Sequence, residues 1–251
     1  LVKVVLNKER TKELFAGKVG TGRRYDFIFD SLQMIHYLNN NDSLQKFGVD
    51  SNTVMALLLP DTYINKWNSS PEKLVQQFYN AYTKFWTEER KADANNLNMT
   101  PLQVVTLASI VEEETNKKDD KKNVASTYLN RLRIGMKLQA DPTVKFATKD
   151  FALKRILNSH LQIQSPYNTY ANAGLPPGPI CTPSPETIDA VLNAPATDYL
   201  YFVASSSFDG SRVFTANYSN HLKYAKLYQI EHTRRMDSVK KVKEKTGALD
   251  K

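Results

Sequence analysis

The first sixty residues alternate short apolar runs with polar segments, which predicts several small structural elements. Val2–Leu6 is a β-branched run typical of a strand, and Asp30–Leu38 carries apolar residues at helical spacing. A further apolar run lies at Val54–Leu59. Together these segments predict a small α+β subdomain over residues 1–59, followed by a main domain over residues 60–251.

Capping residues followed by proline predict where the main helices begin. Ser70-Pro71 and Ser184-Pro185 each place a side-chain acceptor before a proline, whose missing N–H is not needed in the first turn. Thr100-Pro101-Leu102-Gln103 is a capping box, and its helix is predicted to run to about Thr115. The next helix is predicted to stop at Gly135, because glycine favours the left-handed end of a helix.

The last third of the chain predicts a hairpin and a long helix. Tyr199–Ala204 and Arg212–Thr215 are strand-like and flank the turn pair Asp209-Gly210. A long amphipathic helix is predicted from about Ser219, with an apolar side formed by Leu222, Ala225 and Ile230. The resulting fold class is α+β, with helices packed around a small antiparallel sheet.

Composition narrows the class of protein. The chain has 251 residues, 41% apolar and 24% charged, which is the balance of an ordinary globular protein. Its single cysteine excludes an internal disulfide and a cysteine-based zinc site, and no apolar stretch is long enough to span a bilayer. The net charge of +8 lies mostly in residues 1–24 and 234–245. The part of the chain between these two segments carries no excess of positive charge, so we expect no nucleic-acid partner. The basic ends fit binding to an anionic surface, or a helix face in contact with solvent.

One carboxylate lies on the apolar side of its predicted helix. At about 100° per residue, Val104, Leu107 and Val111 fall within one arc, and Glu114 falls inside the same arc. A carboxyl group facing the core loses solvation, which raises its pKa and keeps it protonated, as a general acid requires. The alternative is that the last helical turn frays and leaves Glu114 in water.

Other chemistries have weaker support in the sequence. The four histidines are scattered without metal-ligand spacing, at His36, His160, His221 and His232. Cys181 is flanked by prolines and has no evident base nearby, and no glycine-rich phosphate loop occurs. We therefore expect neither a metal nor a cofactor.

Two polar clusters are candidates for the surroundings of Glu114. Gln139 and Asp141 follow a helix, and Tyr167, Asn168 and Tyr170 alternate aromatic and hydrogen-bonding side chains. Aromatic faces beside amides suit sugar rings, whose C–H faces stack while their hydroxyls need partners. The alternative is a loop folded on itself by Asn and Thr turns.

Several ordered motifs resemble those of one known family. The match covers roughly residues 60–228 and resembles the bacterial endolytic murein transglycosylases, or YceG-like proteins. It rests on Pro60-Asp61-Thr62-Tyr63, Leu107–Thr115, Asn130-Arg131-Leu132, Leu138–Val144, Ser165–Tyr170, Gly174–Gly178 and Tyr199–Val203. Two positions depart from the family pattern, because Glu113 stands where Lys is common and Ala140 where Ser is common.

The resemblance implies a lyase that cuts the β-1,4 bond between N-acetylmuramic acid and N-acetylglucosamine in peptidoglycan glycan strands. Glu114 would protonate the leaving oxygen and then, as carboxylate, accept the proton of the sugar's own C6 hydroxyl, leaving a 1,6-anhydro ring. Gln139, Asp141, Tyr167, Asn168 and Tyr170 would line the cleft. Asn130 and Arg131 also match the family pattern. The alternative to a functional role is that these two residues act as structural braces.

The family also implies a cellular setting. Its members carry one N-terminal membrane helix, which this sequence lacks, and a LysM-like subdomain, of which residues 1–59 resemble a part. The resemblance thus implies a catalytic part on the outer side of the cytoplasmic membrane, beside the cell-wall synthesis machinery. The rival interpretations are a non-catalytic glycan-binding or scaffold module of the envelope, and a nucleic-acid binder using the basic ends.

Overall fold

The computed structural model describes residues 1–20, 27–153 and 155–247, with side chains described as far as residue 238. Four strands lie in this part of the chain: β1 Val2–Val5, β2 Thr62–Asn65, β3 Tyr201–Ala204 and β4 Arg212–Thr215. Its helices are α1 Lys12–Val19, α2 Ser31–Asn39, α3 Asn41–Leu44, α4 Pro71–Phe85, α5 Glu88–Asn96, α6 Pro101–Glu114, α7 Lys118–Arg133, α8 Asp141–Thr148, α9 Asn158–Leu161, α10 Pro185–Leu192 and α11 Tyr218–Gly247. Two short 3₁₀ turns lie at Gln45–Phe47 and Val54–Leu57.

The N-terminal part is built around the antiparallel pair β1 and β2, in which Val2 lies opposite Asn65. Helix α2 is the predicted one: Asp30 and Gln33 form a capping box at its start. Phe15 of α1 packs in the same apolar cluster as Phe78 of α4. Strand pairing and core packing therefore cross residue 59, and the division into residues 1–59 and 60–251 stays a prediction.

Helix α6 forms the centre of the second apolar cluster. Every residue from Val104 to Val111 is buried, and α7, α8 and α10 pack against the helix. The predicted capping box is confirmed: the Thr100 hydroxyl accepts from the Gln103 N–H and the Gln103 side chain accepts from the Thr100 N–H. This local chemistry fixes where α6 begins, and so where its last residue lies.

The predicted hairpin is confirmed, with β3 and β4 antiparallel and Tyr201 opposite Thr215. The α+β class is confirmed too, although the structure has two separate two-stranded sheets rather than one small sheet. The predicted apolar side of α11 is wrong for Leu222 and Ile230, which are 50% and 56% exposed. Tyr228 of α11 instead faces the hairpin, where the Tyr228 ring stacks on Phe208.

The described residues contain no helix with the length and apolarity to cross a membrane. Within the same residues, no group of three or more His, Cys, Asp or Glu side chains is placed to hold a metal ion. Some of the basic residues at the two ends of the chain lie outside the described residues or side chains. They are Arg23, Arg24, Lys240, Lys241, Lys243 and Lys245.

Candidate active site

Glu114 is the last residue of α6, and its side chain turns inward. Thr115 leaves the helical conformation with φ −150° and ψ 140°, so the chain departs directly after the carboxylate. Val104, Leu107 and Val111 are fully buried, and the Glu114 side chain on the same side of the helix is only 11% exposed. The helix therefore does not fray at its last turn.

Two side chains from other elements hold the Glu114 carboxyl group. The Tyr128 hydroxyl on α7 donates to Oε1 at 2.8 Å, and Arg212 Nη2 on β4 donates to Oε2 at 3.2 Å. Arg212 Nη2 also donates to the Glu114 carbonyl oxygen. The Arg212 side chain is only 18% exposed, so this charge pair is largely shielded from water. Both oxygens of the carboxyl group consequently have a fixed donor.

Burial raises the pKa of Glu114 above its ordinary value. The charge of Arg212 and the hydrogen bond from Tyr128 act in the opposite direction, while the negative charge of Asp141 adds to the rise. The net direction is upward, so Glu114 keeps its proton to higher pH than an exposed glutamate does, as a general acid requires. The group is thus placed to donate a proton and is surrounded by donors that stabilise it once it has done so.

The two preceding glutamates are committed to structural contacts. Glu112 accepts hydrogen bonds from Thr187, Ser184 and Lys121, with the Lys121 Nζ at 3.1 Å. Although burial opposes ionisation, these bonds and the charge of Lys121 lower the pKa of Glu112. They tie α6 to α10 and α7.

Glu113 forms ion pairs with Lys8 at 3.0 Å and Arg10 at 3.2 Å. These contacts join α6 to the N-terminal segment. Three consecutive carboxylates therefore have three different environments, and Glu114 is the one whose pKa burial raises.

The predicted polar loops meet beside Glu114. The Tyr170 hydroxyl donates to Asp141 Oδ1 at 2.6 Å, and the Gln139 N–H donates to the Thr169 carbonyl at 3.1 Å. Burial and the bond to Asp141 raise the pKa of Tyr170, and the charge of Glu114 contributes to the rise. Gln139 has an exposed side chain and a positive φ of 49°. A non-glycine residue in this region is strained, and such strain is common at functional sites.

Two of the five predicted cleft residues are placed differently. Asn168 is fully buried; its amide nitrogen donates to the carbonyls of Leu161 and Ile163, both at 2.9 Å, so its contacts shape the loop. The Tyr167 ring packs on Phe146 with centroids 4.6 Å apart. Burial raises the pKa of Tyr167 to about 12, and the contributing charge is that of Asp50 rather than of Glu114. The structure thus brings Asp141 and Tyr170 to Glu114, but not these two side chains.

Asn130 and Arg131 have the contacts of structural braces. The Asn130 amide donates to the carbonyls of Thr197 and Tyr199, at 2.9 and 3.0 Å. Arg131 donates to the carbonyls of Leu200 at 2.7 Å and Leu138 at 2.6 Å. Together they fix the hairpin and the 138–141 loop to α7, so they position the two sides of the site.

Tyr128 and Arg212, the two partners of the carboxyl group, were not among the residues predicted from the sequence. Tyr128 belongs to the apolar side of its helix, and Arg212 is the first residue of a predicted strand. One signal was available: each is a strong hydrogen-bond donor in an otherwise apolar pattern, and buried donors need acceptors.

A cavity of the size of a ligand site lies elsewhere in the fold. It has a volume of about 930 Å³ and is lined by one end of α6, the far side of α7 and the proline-rich segment at 174–177. Its lining holds one ionisable side chain, Arg133, and no carboxyl group. A cavity without an acid cannot protonate a leaving group, so the Glu114 cluster, rather than this cavity, is the candidate active site.

Comparison with known proteins identifies related sequences and structures. The YceG-like family matches residues 3–227. An endolytic murein transglycosylase of Bacillus subtilis strain 168 is 38% identical over 175 residues, which cover 68% of this chain and 47% of that protein. One from Streptococcus pneumoniae strain D39 is 32% identical over 168 residues, covering 65% of this chain and 30% of that protein. The chain thus spans less than half the length of the curated relatives it matches.

A solved structure supports the same relationship. The crystal structure of a YceG-like protein from Listeria monocytogenes superposes with a TM-score of 0.73 at 26% sequence identity. The superposition covers 88% of this chain and 74% of that chain, so the similarity extends over nearly the whole fold described above.

Proposed function

Because this chain belongs to the YceG-like family, we propose that it is an endolytic lytic transglycosylase of peptidoglycan. Its substrate would be the β-1,4 bond between N-acetylmuramic acid and N-acetylglucosamine within glycan strands. The observation that carries the proposal is the buried Glu114 carboxyl group, whose pKa is raised by burial and whose two oxygens face Tyr128 and Arg212.

In the first step, the protonated Glu114 gives its proton to the glycosidic oxygen as the bond from that oxygen to the muramic C1 breaks. In the second step, the C6 hydroxyl oxygen of the same muramic residue bonds to C1, and its proton passes to the Glu114 carboxylate. The products are a 1,6-anhydro end and a free N-acetylglucosamine end. Glu114 regains its proton, and no water is consumed.

This route explains why one acid suffices. Most glycosidases use a second carboxylate as nucleophile or as base for water, whereas here the sugar supplies its own nucleophile. Between the two steps Glu114 carries a negative charge, which Arg212 and Tyr128 stabilise at 3.2 and 2.8 Å. Asp141 adds negative charge nearby, which favours return of the proton.

We propose that Gln139, Asp141 and Tyr170 contact the sugars, with Tyr167 and Asn168 supporting the loop that carries Tyr170. Gln139 has an exposed amide, and the Tyr170 ring lies beside Asp141. An enzyme of peptidoglycan acts outside the cytoplasm. We further propose attachment to the inner membrane by a helix outside this sequence, beside the machinery that synthesises the wall.

The experiment is digestion of purified peptidoglycan, with the new ends identified by mass spectrometry. Wild-type protein should release anhydro-muramic ends, and Glu114→Gln should abolish their release because an amide N–H is too weakly acidic to protonate the leaving oxygen. Glu113→Gln is the matched control: it alters the adjacent carboxylate, whose partners are Lys8 and Arg10, and should retain activity.

Three results would reject parts of the proposal. Undiminished cleavage by Glu114→Gln would reject the assignment of the acid. Reducing ends in place of anhydro ends would indicate hydrolysis, with Asp141 as the nearest candidate for a second carboxylate. Absence of cleavage by correctly folded wild-type protein would leave the non-catalytic glycan-binding module as the better interpretation.

A further inference from the structure

A second groove lies between the β3–β4 hairpin and α11. Its volume is about 380 Å³, within the size range of small-molecule sites. Three aromatic side chains line it, Phe202, Phe208 and Tyr228, together with Ser211 and Arg212. The rings of Phe208 and Tyr228 stack nearly parallel, at 14° with centroids 4.9 Å apart, and form one aromatic wall.

The groove adjoins the candidate active site through two of its lining residues. Arg212 contacts the Glu114 carboxyl group at 3.2 Å. Phe202 packs edge-on against Tyr128, with centroids 5.7 Å apart, and Tyr128 is the other donor to Glu114. A ligand that extends from Glu114 past Arg212 therefore enters this groove.

The groove offers the chemistry that a pyranose ring needs. The half-buried rings present apolar edges to the C–H groups of a sugar, while the Arg212 guanidinium supplies donors for hydroxyl and carbonyl oxygens. The contacts to the Phe208 ring come from a single helix: Tyr228, His232 and Arg235 all belong to α11. The ring is thus supported from the helix in a fixed position.

The backbone at Phe208 is strained. Its φ is +57°, a conformation that costs an aromatic residue more than it costs Gly or Asn. The hairpin loop closes with a hydrogen bond from the Phe208 N–H to the Ser205 carbonyl at 3.2 Å. Strained backbone is common at functional sites, and a large ring held this way at the rim of a groove fits a role in binding.

We propose that this hairpin groove binds an N-acetylhexosamine unit of the same glycan strand that Glu114 cleaves. The inference rests on the proposed function. The 139–141 and 165–170 loops then hold one part of the strand, and the aromatic wall of Phe208 and Tyr228 holds another. Two such contacts suit a protein that cuts within a long strand, because the strand is positioned beyond the sugar that reacts.

The test measures binding without turnover. In the Glu114→Gln background, β-1,4-linked N-acetylglucosamine oligomers of two and six units are titrated by calorimetry. Phe208→Asn removes the ring but tolerates the left-handed backbone, so the turn is retained. Tyr228→Ala removes the other half of the wall. Tyr224→Ala is the control, because Tyr224 lies on the same helix, is 42% exposed and does not line the groove.

We expect Phe208→Asn and Tyr228→Ala each to weaken hexamer binding about tenfold, and Tyr224→Ala to leave it unchanged. Binding of the dimer, which is too short to reach both Glu114 and the groove, should change less. Hexamer affinity within twofold of the parent in both groove variants, or no hexamer binding by the parent, would overturn the inference. Failure of the proposed function gives a different result: no cleavage of peptidoglycan by wild type, with the groove variants still weakening hexamer binding.

Discussion

Replacing Arg212 by Met removes the positive charge that faces Glu114 and keeps much of the side-chain volume. The two groups lie 3.2 Å apart, with 18% and 11% of their side chains exposed. Removing one partner of such a pair leaves the other charge poorly solvated, which is the costly outcome for a buried ion pair.

The geometry sets the size of the effect. At 3.2 Å and an effective dielectric constant of about 20, the attraction is about 5 kcal/mol. Residual solvent and relaxation of the protein screen more than half of this attraction, so we expect a coupling of about 2 kcal/mol between Arg212 and the ionised Glu114. For comparison, the coupling energy of a solvent-exposed ion pair is roughly 0–1 kcal/mol.

The coupling depends on pH in a defined direction. Burial raises the pKa of Glu114 above its ordinary value of 4.5, so protonation of the folded protein begins above that pH. As the pH falls through the folded-state pKa, the carboxylate becomes neutral and its attraction to Arg212 is lost. The coupling should therefore decrease as the pH is lowered from 8.

The assay is a double-mutant cycle with Arg212→Met and Glu114→Gln, using urea unfolding followed by tryptophan fluorescence. The bond from Arg212 to the Glu114 carbonyl is present in both backgrounds and cancels. Lys118 and Glu186 provide the control cycle, because they pair at 2.9 Å but are 77% and 67% exposed. A coupling at pH 8 no larger than that of the control, or one independent of pH, would refute this reasoning.

Three further predictions test other parts of the site and fold. Asp141→Asn should lower the pKa of Glu114, because it removes a nearby negative charge, and should move the alkaline limb of the pH–activity profile to lower pH; an upward move would contradict it. Thr100→Ala should reduce the free energy of unfolding by about 1 kcal/mol through loss of the α6 cap, while Thr100→Ser should restore most of it. Asn168→Ala leaves the carbonyls of Leu161 and Ile163 without this donor and should cost about 1–3 kcal/mol by urea unfolding, whereas unchanged stability would argue against its bracing role.

Features set by neighbouring residues were predictable from the sequence. The capping box at Thr100 and the turn at Asp209-Gly210 act within a few residues, so their chemistry fixes the start of α6 and the hairpin directly. The inward position of Glu114 followed from the constant angular step of a helix. Each of these predictions rests on a regular local geometry.

The partners of Glu114 were not predictable in the same way. Tyr128 is 14 residues away and Arg212 is 98 residues away, so their contacts depend on how α7 and the hairpin pack on α6. The loop at 165–170 has no regular period to separate inward from outward side chains. Its sequence therefore did not distinguish buried Asn168 from Tyr170, whose hydroxyl reaches Asp141.

The same limit applies to α11. Its apolar residues have helical spacing, but the hairpin it packs on is only two strands wide. The surface available for burial is filled by aromatic contacts such as that between Tyr201 and His221, which leaves Leu222 and Ile230 exposed. Periodicity predicted the helix but not which of its sides would be covered.

Glu114 is a buried acid that holds its proton to higher pH than neighbouring Glu112 does. Carbon-13 NMR titration of the glutamate side-chain carboxyls, with Glu114→Gln and Glu112→Gln used to assign the two signals, measures this directly. Glu114 should titrate above 4.5, the ordinary value, and Glu112 below it. A Glu114 signal that titrates at or below that of Glu112 would contradict the account.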